Sequence, residues 1–109
     1  MKTKEELAAI EQSLKEKGTK YNTVTVFLEE DNTELTATFF LRKPDKTVRA
    51  LIGKMAAKDG LQAVYAGIKN LFIDGDDPSL LLQNDYALAS AEDAVVSMLE
   101  VQKAILKKN

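Results

Sequence analysis

The side chains best able to do chemistry in this sequence are its carboxylates, present as the neighbours Glu29-Glu30, Asp76-Asp77 and Glu92-Asp93 and in the run Asp74-Gly75-Asp76-Asp77. Two carboxylates can divide into a general acid and a general base when an apolar pocket raises the pKa of one. Adjacent positions on a helix or strand do not face the same point, however, so each pair reads as solvated surface. The aspartate run invites comparison with a calcium loop in which Asp85 is the twelfth residue from Asp74. Pro78 and Ser79 then stand where a ligand and the turn glycine belong, and Asp85 replaces the bidentate glutamate. Turn formation and capping account for the same aspartates.

Histidine and cysteine are both absent from the 109 residues. With them go the imidazole that titrates near neutrality, the thiolate nucleophile and the usual ligands of structural zinc. Among five glycines no phosphate-cradling motif occurs. The expectation is a non-enzymatic binding or assembly domain without cofactor or metal.

Length and composition agree with that class. A chain of this size forms one domain, residues 1–109, and its 45% apolar and 29% charged content is ordinary globular usage. No apolar run is long enough for a membrane span, and the N-terminus lacks the basic start and apolar stretch of a signal peptide, which points to the cytoplasm and no membrane. Fifteen basic and 17 acidic side chains give a net charge of -2. The basic clusters Arg42, Lys43, Lys46, Arg49 and Lys103, Lys107, Lys108 are not interleaved with aromatics, so nucleic acid is a poor partner. Lysines closing the last helix are favoured by its dipole.

The elements that carry these residues are an α+β set: an N-terminal helix, an antiparallel hairpin, then three helices packed on it. Thr3 and Glu6 form a T-x-x-E capping box at the head of a helix running to about Lys17, and Gly18 ends it. Leu7, Ile10 and Leu14 line one face of that helix, a stripe that can bury against a single neighbour and leaves this helix mobile or free to dock on a partner. From Tyr21 to Arg42 the period becomes two, with Asp31-Asn32 as the expected turn. Leu28 then faces Leu35, Val26 faces Ala37, Val24 faces Phe39, and Asn22 faces Leu41. One face is apolar. The other carries Thr23, Thr25, Thr36 and Thr38 together with Phe27 and Phe40, which either lie under the N-terminal helix or receive another chain.

Pro44 closes the second strand and Asp45 caps the next helix, whose expected buried stripe is Val48, Leu51, Ile52, Met55 and Ala56. Asp59-Gly60 separates it from a helix over about Leu61 to Phe72, with Leu61, Val64, Tyr65, Ile68, Leu71 and Phe72 inward. Within it, Gly67 marks a close helix crossing. After the break at Asp74 to Pro78 and an apolar turn at Leu80 to Leu82, a last helix is expected from about Asp85 to Lys107, roughly 34 Å long.

The junction Phe39-Phe40-Leu41-Arg42-Lys43-Pro44-Asp45, then Leu71-Phe72-Ile73-Asp74-Gly75-Asp76-Asp77 and a long terminal helix, resembles the plan of phage tail assembly chaperones from about Thr33 onward. The N-terminal helix has no counterpart in that plan. The resemblance implies a nonvirion protein of the infected or lysogenic bacterial cytoplasm. Such a protein binds the tape measure protein, shields its apolar helices, and leaves as tail tube subunits polymerise. It also implies self-association and an apolar contact surface, for which the candidates are Leu7, Ile10, Leu14, Phe27, Phe40, Ile105 and Leu106. The alternative is a small phage structural or oligomeric adaptor protein.

Overall fold

The computed structural model describes residues 1–99. Its elements are α1 (Lys4–Glu16), β1 (Tyr21–Glu29), β2 (Asn32–Arg42), α2 (Lys46–Ala56), α3 (Gly60–Leu71), β3 (Phe72–Gly75), a 3-10 turn (Pro78–Leu81) and α4 (Asp85–Leu99). The architecture is α+β, as expected from the change of period along the chain. The antiparallel sheet has the order β1-β2-β3.

Local chemistry sets the helix ends. The Thr3 hydroxyl accepts from the Glu6 N–H at 3.1 Å, and the Glu6 carboxylate accepts from the Thr3 N–H at 3.1 Å. At the other end of α1, Gly18 at φ 69° lets its own N–H reach Lys15 O and the Thr19 N–H reach Leu14 O, a Schellman closure. Asp45 caps α2 by accepting from the Val48 N–H, and Asp59 caps α3 by accepting from the Gln62 N–H. Asn84 works in both directions: its oxygen accepts from the Ala87 N–H at the head of α4, and its amide donates to Leu28 O of β1.

The hairpin register matches the alternation from Tyr21↔Arg42 to Phe27↔Thr36, including Val24↔Phe39 and Val26↔Ala37. Beyond Phe27 it shifts, and Glu29 pairs with Asn32. The connection is Glu30-Asp31, one residue earlier than Asp31-Asn32, because Asp31 takes the left-handed conformation (φ 63°) that short polar side chains tolerate. Leu28 alone then spans the stretch opposite Thr33, Glu34 and Leu35, so the expected Leu28↔Leu35 pairing is not formed. The Asn32 side chain accepts from the Glu34 N–H within this irregular start of β2.

One sheet face meets α3. Val24, Val26, Ala37, Phe39 and Leu41 join Val48, Ile52, Val64, Ile68 and Leu71 in one core, closed by Leu81, Leu88, Ala91 and Val95. The core departs from expectation at Leu51, which is 46% exposed, and at Ala56, which is also exposed. The buried line of α2 runs through Val48, Ile52 and Met55, and Leu51 stands about 70° round the helix from it at 3.6 residues per turn. Gly67 is indeed a crossing point: a Cβ there would lie 3.1 Å from Val95 Cγ1 and 3.3 Å from Ile52 Cδ1.

The third strand was not expected, since the Asp74 to Pro78 segment reads as a break. β3 pairs Gly75 with Phe39 and Asp74 with Phe40. Gly75, at φ 124°, sits so close to β2 that a Cβ would come within 2.5 Å of Thr38 O. Only glycine fits there.

Candidate functional site

The aspartates of the Asp74 to Asp77 run are taken up by backbone. Asp74 accepts from the Gly75 N–H at 2.8 Å, and Asp77 accepts from the Ser79 N–H at 2.9 Å at the head of the 3-10 turn. Asp76 is 3% exposed and accepts from two N–H groups, those of Lys2 and Thr38, each at 2.8 Å. Its own N–H donates to Thr38 O, so side chain and backbone together extend the β2–β3 ladder by one rung. A buried carboxylate held by two donors is a structural staple that ties the N-terminus to the sheet. Among the described residues no group of three or more acidic side chains is placed to hold a metal ion.

The basic junction is likewise tied to the chain. Arg42 pairs with Asp45 at 3.7 Å and donates to Asn70 O, and Lys43 donates to Asn22 at 2.7 Å. Lys103, Lys107 and Lys108 lie outside the described residues.

The proposed contact stripe divides. α1 lies over the second sheet face, where Leu7 and Ala8 border the same small recess as Thr23, Thr38 and Phe40. Leu14 is 7% exposed and Phe40 2% exposed, with Leu7 and Ile10 half-buried. The Phe40 ring also meets Tyr21 edge to face, with centroids 5.9 Å apart. Of the two accounts of this face, cover by the N-terminal helix holds at Phe40, and neither Phe40 nor Leu14 presents a free surface in this fold. Burial and the nearby Glu11 carboxylate raise the Tyr21 pKa above 10.0.

Phe27 remains 40% exposed, beyond the reach of α1 and beside α4. Its N–H donates to Ser90 Oγ at 3.1 Å, which covers the outer edge of β1. The single Ser90 proton goes to Ala87 O at 2.8 Å rather than to Phe27 O at 3.4 Å. Tyr86, one turn before Ser90, is 43% exposed. Ile105 and Leu106 lie outside the described residues.

One recess was missed by sequence reading. α2 and α4 both pack on α3 and leave between them an open apolar cleft of about 410 Å³. Ile52, Gly53 and Ala56 form one wall, Val95, Val96 and Leu99 the other, and Gly60, Ala63 and Val64 the floor. Val96 stands 47% exposed on the rim. Arg49 lies on the α2 side and Glu92 on the α4 side. Among the described residues the buried Arg49 Nε has no hydrogen-bond partner. A sequence signal was present in the small residues Gly53, Ala56, Gly60 and Ala63, whose spacing hollows both helices on neighbouring turns. Reading Gly60 only as a helix break, and Gly53 not at all, hid it.

Among its described lining residues, Arg49 and Glu92 alone carry polar side chains. What it offers is greasy, concave surface with one charge on each flank. No helix among the described residues is long and apolar enough to cross a membrane. Comparison of the chain with protein-family models, with curated proteins and with solved structures gives no match.

Proposed function

We propose that this chain is a non-enzymatic protein-binding domain that serves as a tail assembly chaperone, holding a tape measure protein in the bacterial cytoplasm before tail tube subunits replace it. The observation that carries the reading is the open apolar cleft between α2 and α4, with Val96 exposed on its rim. Exposed, contiguous apolar surface on a small domain marks a contact site for another molecule. The family resemblance of the strand-to-helix junction and of the Phe72 to Asp77 turn supplies the partner. Self-association is assigned to the second exposed apolar region, around Phe27 and Tyr86.

Co-expression with the tape-measure-like protein of the same gene neighbourhood tests this. The expected result is a soluble complex that survives purification, with the tape-measure-like protein aggregating when expressed alone. Stable association with a tail tube or other structural protein, and none with the tape-measure-like protein, would move the assignment to the adaptor alternative.

A further inference from the structure

We propose that the α2–α4 cleft takes one amphipathic helix of a partner protein in a fixed direction, with an acidic side chain against Arg49 and a basic side chain against Glu92; this rests on the protein-binding reading above. Three observations lead to it. The first concerns length. From Arg49 to Ala56 and from Glu92 to Leu99 the helix rises seven steps, about 10.5 Å in each case. A docking helix offers apolar side chains at i, i+3 or i+4, and i+7 over the same distance.

The second is Gly53. It lies inside α2 at ordinary helical geometry, and a Cβ built there meets nothing within 4 Å. Glycine is the poorest helix former after proline, and no contact within the described chain requires it. A missing side chain on the wall of a cleft does allow a foreign helix to approach closely, because the interaxial distance is set by the side chains at the contact.

The third is charge. The Arg49 guanidinium lines the cleft, its Nε lacks a hydrogen-bond partner among the described residues, and it offers charge-assisted bonds to a carboxylate on the α2 flank of the incoming helix. Glu92 on the opposite flank favours a cation there. Swapping the two flanks places like charges together, so the cleft discriminates orientation as well as amphipathicity. A second copy of this chain is a poorer occupant through the same surface, since two concave clefts cannot fill one another.

Two fluorescein-labelled 18-residue helical peptides provide the test. They share one composition and a leucine-alanine stripe at i, i+4 and i+7; one carries all its glutamates on one flank and all its lysines on the other, and the second mixes the two charges on each flank. Fluorescence anisotropy with the full-length chain should show at least about a tenfold preference for the charge-segregated isomer. Arg49→Glu, which makes both flanks acidic, should abolish that preference. Gly53→Leu should weaken both isomers by at least tenfold with an unchanged circular dichroism spectrum, and Val96→Lys provides a second block should Gly53→Leu not fold. Equal binding of the two isomers, or wild-type affinity in both blocked variants, overturns the proposal. So does a wild-type dimer dissolved by Gly53→Leu with no peptide binding, which would make the occupant a second copy. Capture of the tape-measure-like protein by both blocked variants as by wild type would leave the chaperone reading standing and remove this one. Flank-selective peptide binding without capture would do the reverse.

Discussion

Replacing Gly53 by alanine should make the protein more stable. The position is interior to α2, where glycine is less favourable than alanine by about 0.8–1.0 kcal/mol. The new Cβ meets no atom within 4 Å, so no packing cost offsets the gain. The net effect is about 1 kcal/mol, or a melting temperature higher by roughly 4–8 °C for a domain of this size. Gly67→Ala provides the contrast. It gains the same propensity but sets a Cβ 3.1 Å from Val95 Cγ1 and 3.3 Å from Ile52 Cδ1. Both of those side chains are buried, and overpacking costs about 1–3 kcal/mol, so the net change runs from neutral to destabilising. Urea unfolding of the full-length variants, with the slope checked for constancy, measures the difference. A Gly53→Ala variant less stable than wild type, or no more stable than Gly67→Ala, would refute the claim that position 53 faces open space.

Ile68 is fully buried, so Ile68→Ala should cost about 2–5 kcal/mol, whereas Leu51→Ala, on the exposed flank of α2, should stay within about 0.5 kcal/mol by the same unfolding assay. Gly75→Ala should be among the most damaging substitutions in the chain, because it demands both a disallowed φ and a Cβ 2.5 Å from Thr38 O; loss of the β2–β3 amide protection in hydrogen exchange would report it. The Glu6 pKa is lowered from 4.5 by the Thr3 N–H and the Thr3 hydroxyl, with Lys2 adding a smaller pull. A lowered carboxylate stabilises the fold above its unfolded pKa and stops doing so as pH falls through the folded value. The stability advantage of wild type over Glu6→Gln should therefore be full at neutral pH and shrink below about pH 4.5, and a pH-independent difference would contradict the capping-box account.

The sequence made the elements legible wherever a periodic pattern coincided with a boundary signal. Thr3 and Glu6, Asp45, Asp59 and Gly18 mark helix ends by the hydrogen bonds they make, and the alternation from Tyr21 to Arg42 admits one register that buries a full face. The failures have separate physical causes. β3 is four residues long, too short for period two to show, and its glycine and aspartates resemble a turn because they serve a tight backbone approach and a buried staple. Leu51 looked inward because an apolar residue at helical spacing does not reveal how wide the buried stripe is. Phe40 and Phe27 share a face but not a fate, since α1 covers the former and falls short of the latter. The cleft was the least visible feature: concavity comes from side chains that are missing, at Gly53 and Gly60, and from two helices that share one neighbour without touching along its length.

Site-specific photo-crosslinking tests the central claim most directly. A benzophenone side chain placed at position 96, in place of Val96 on the cleft rim, should link the full-length chain to the tape-measure-like protein during co-expression. The same group at position 51, in place of Leu51 on the far flank of α2, should give little or no product. Equal yields from the two positions, or a stable complex that position 96 never captures, would contradict binding through the cleft.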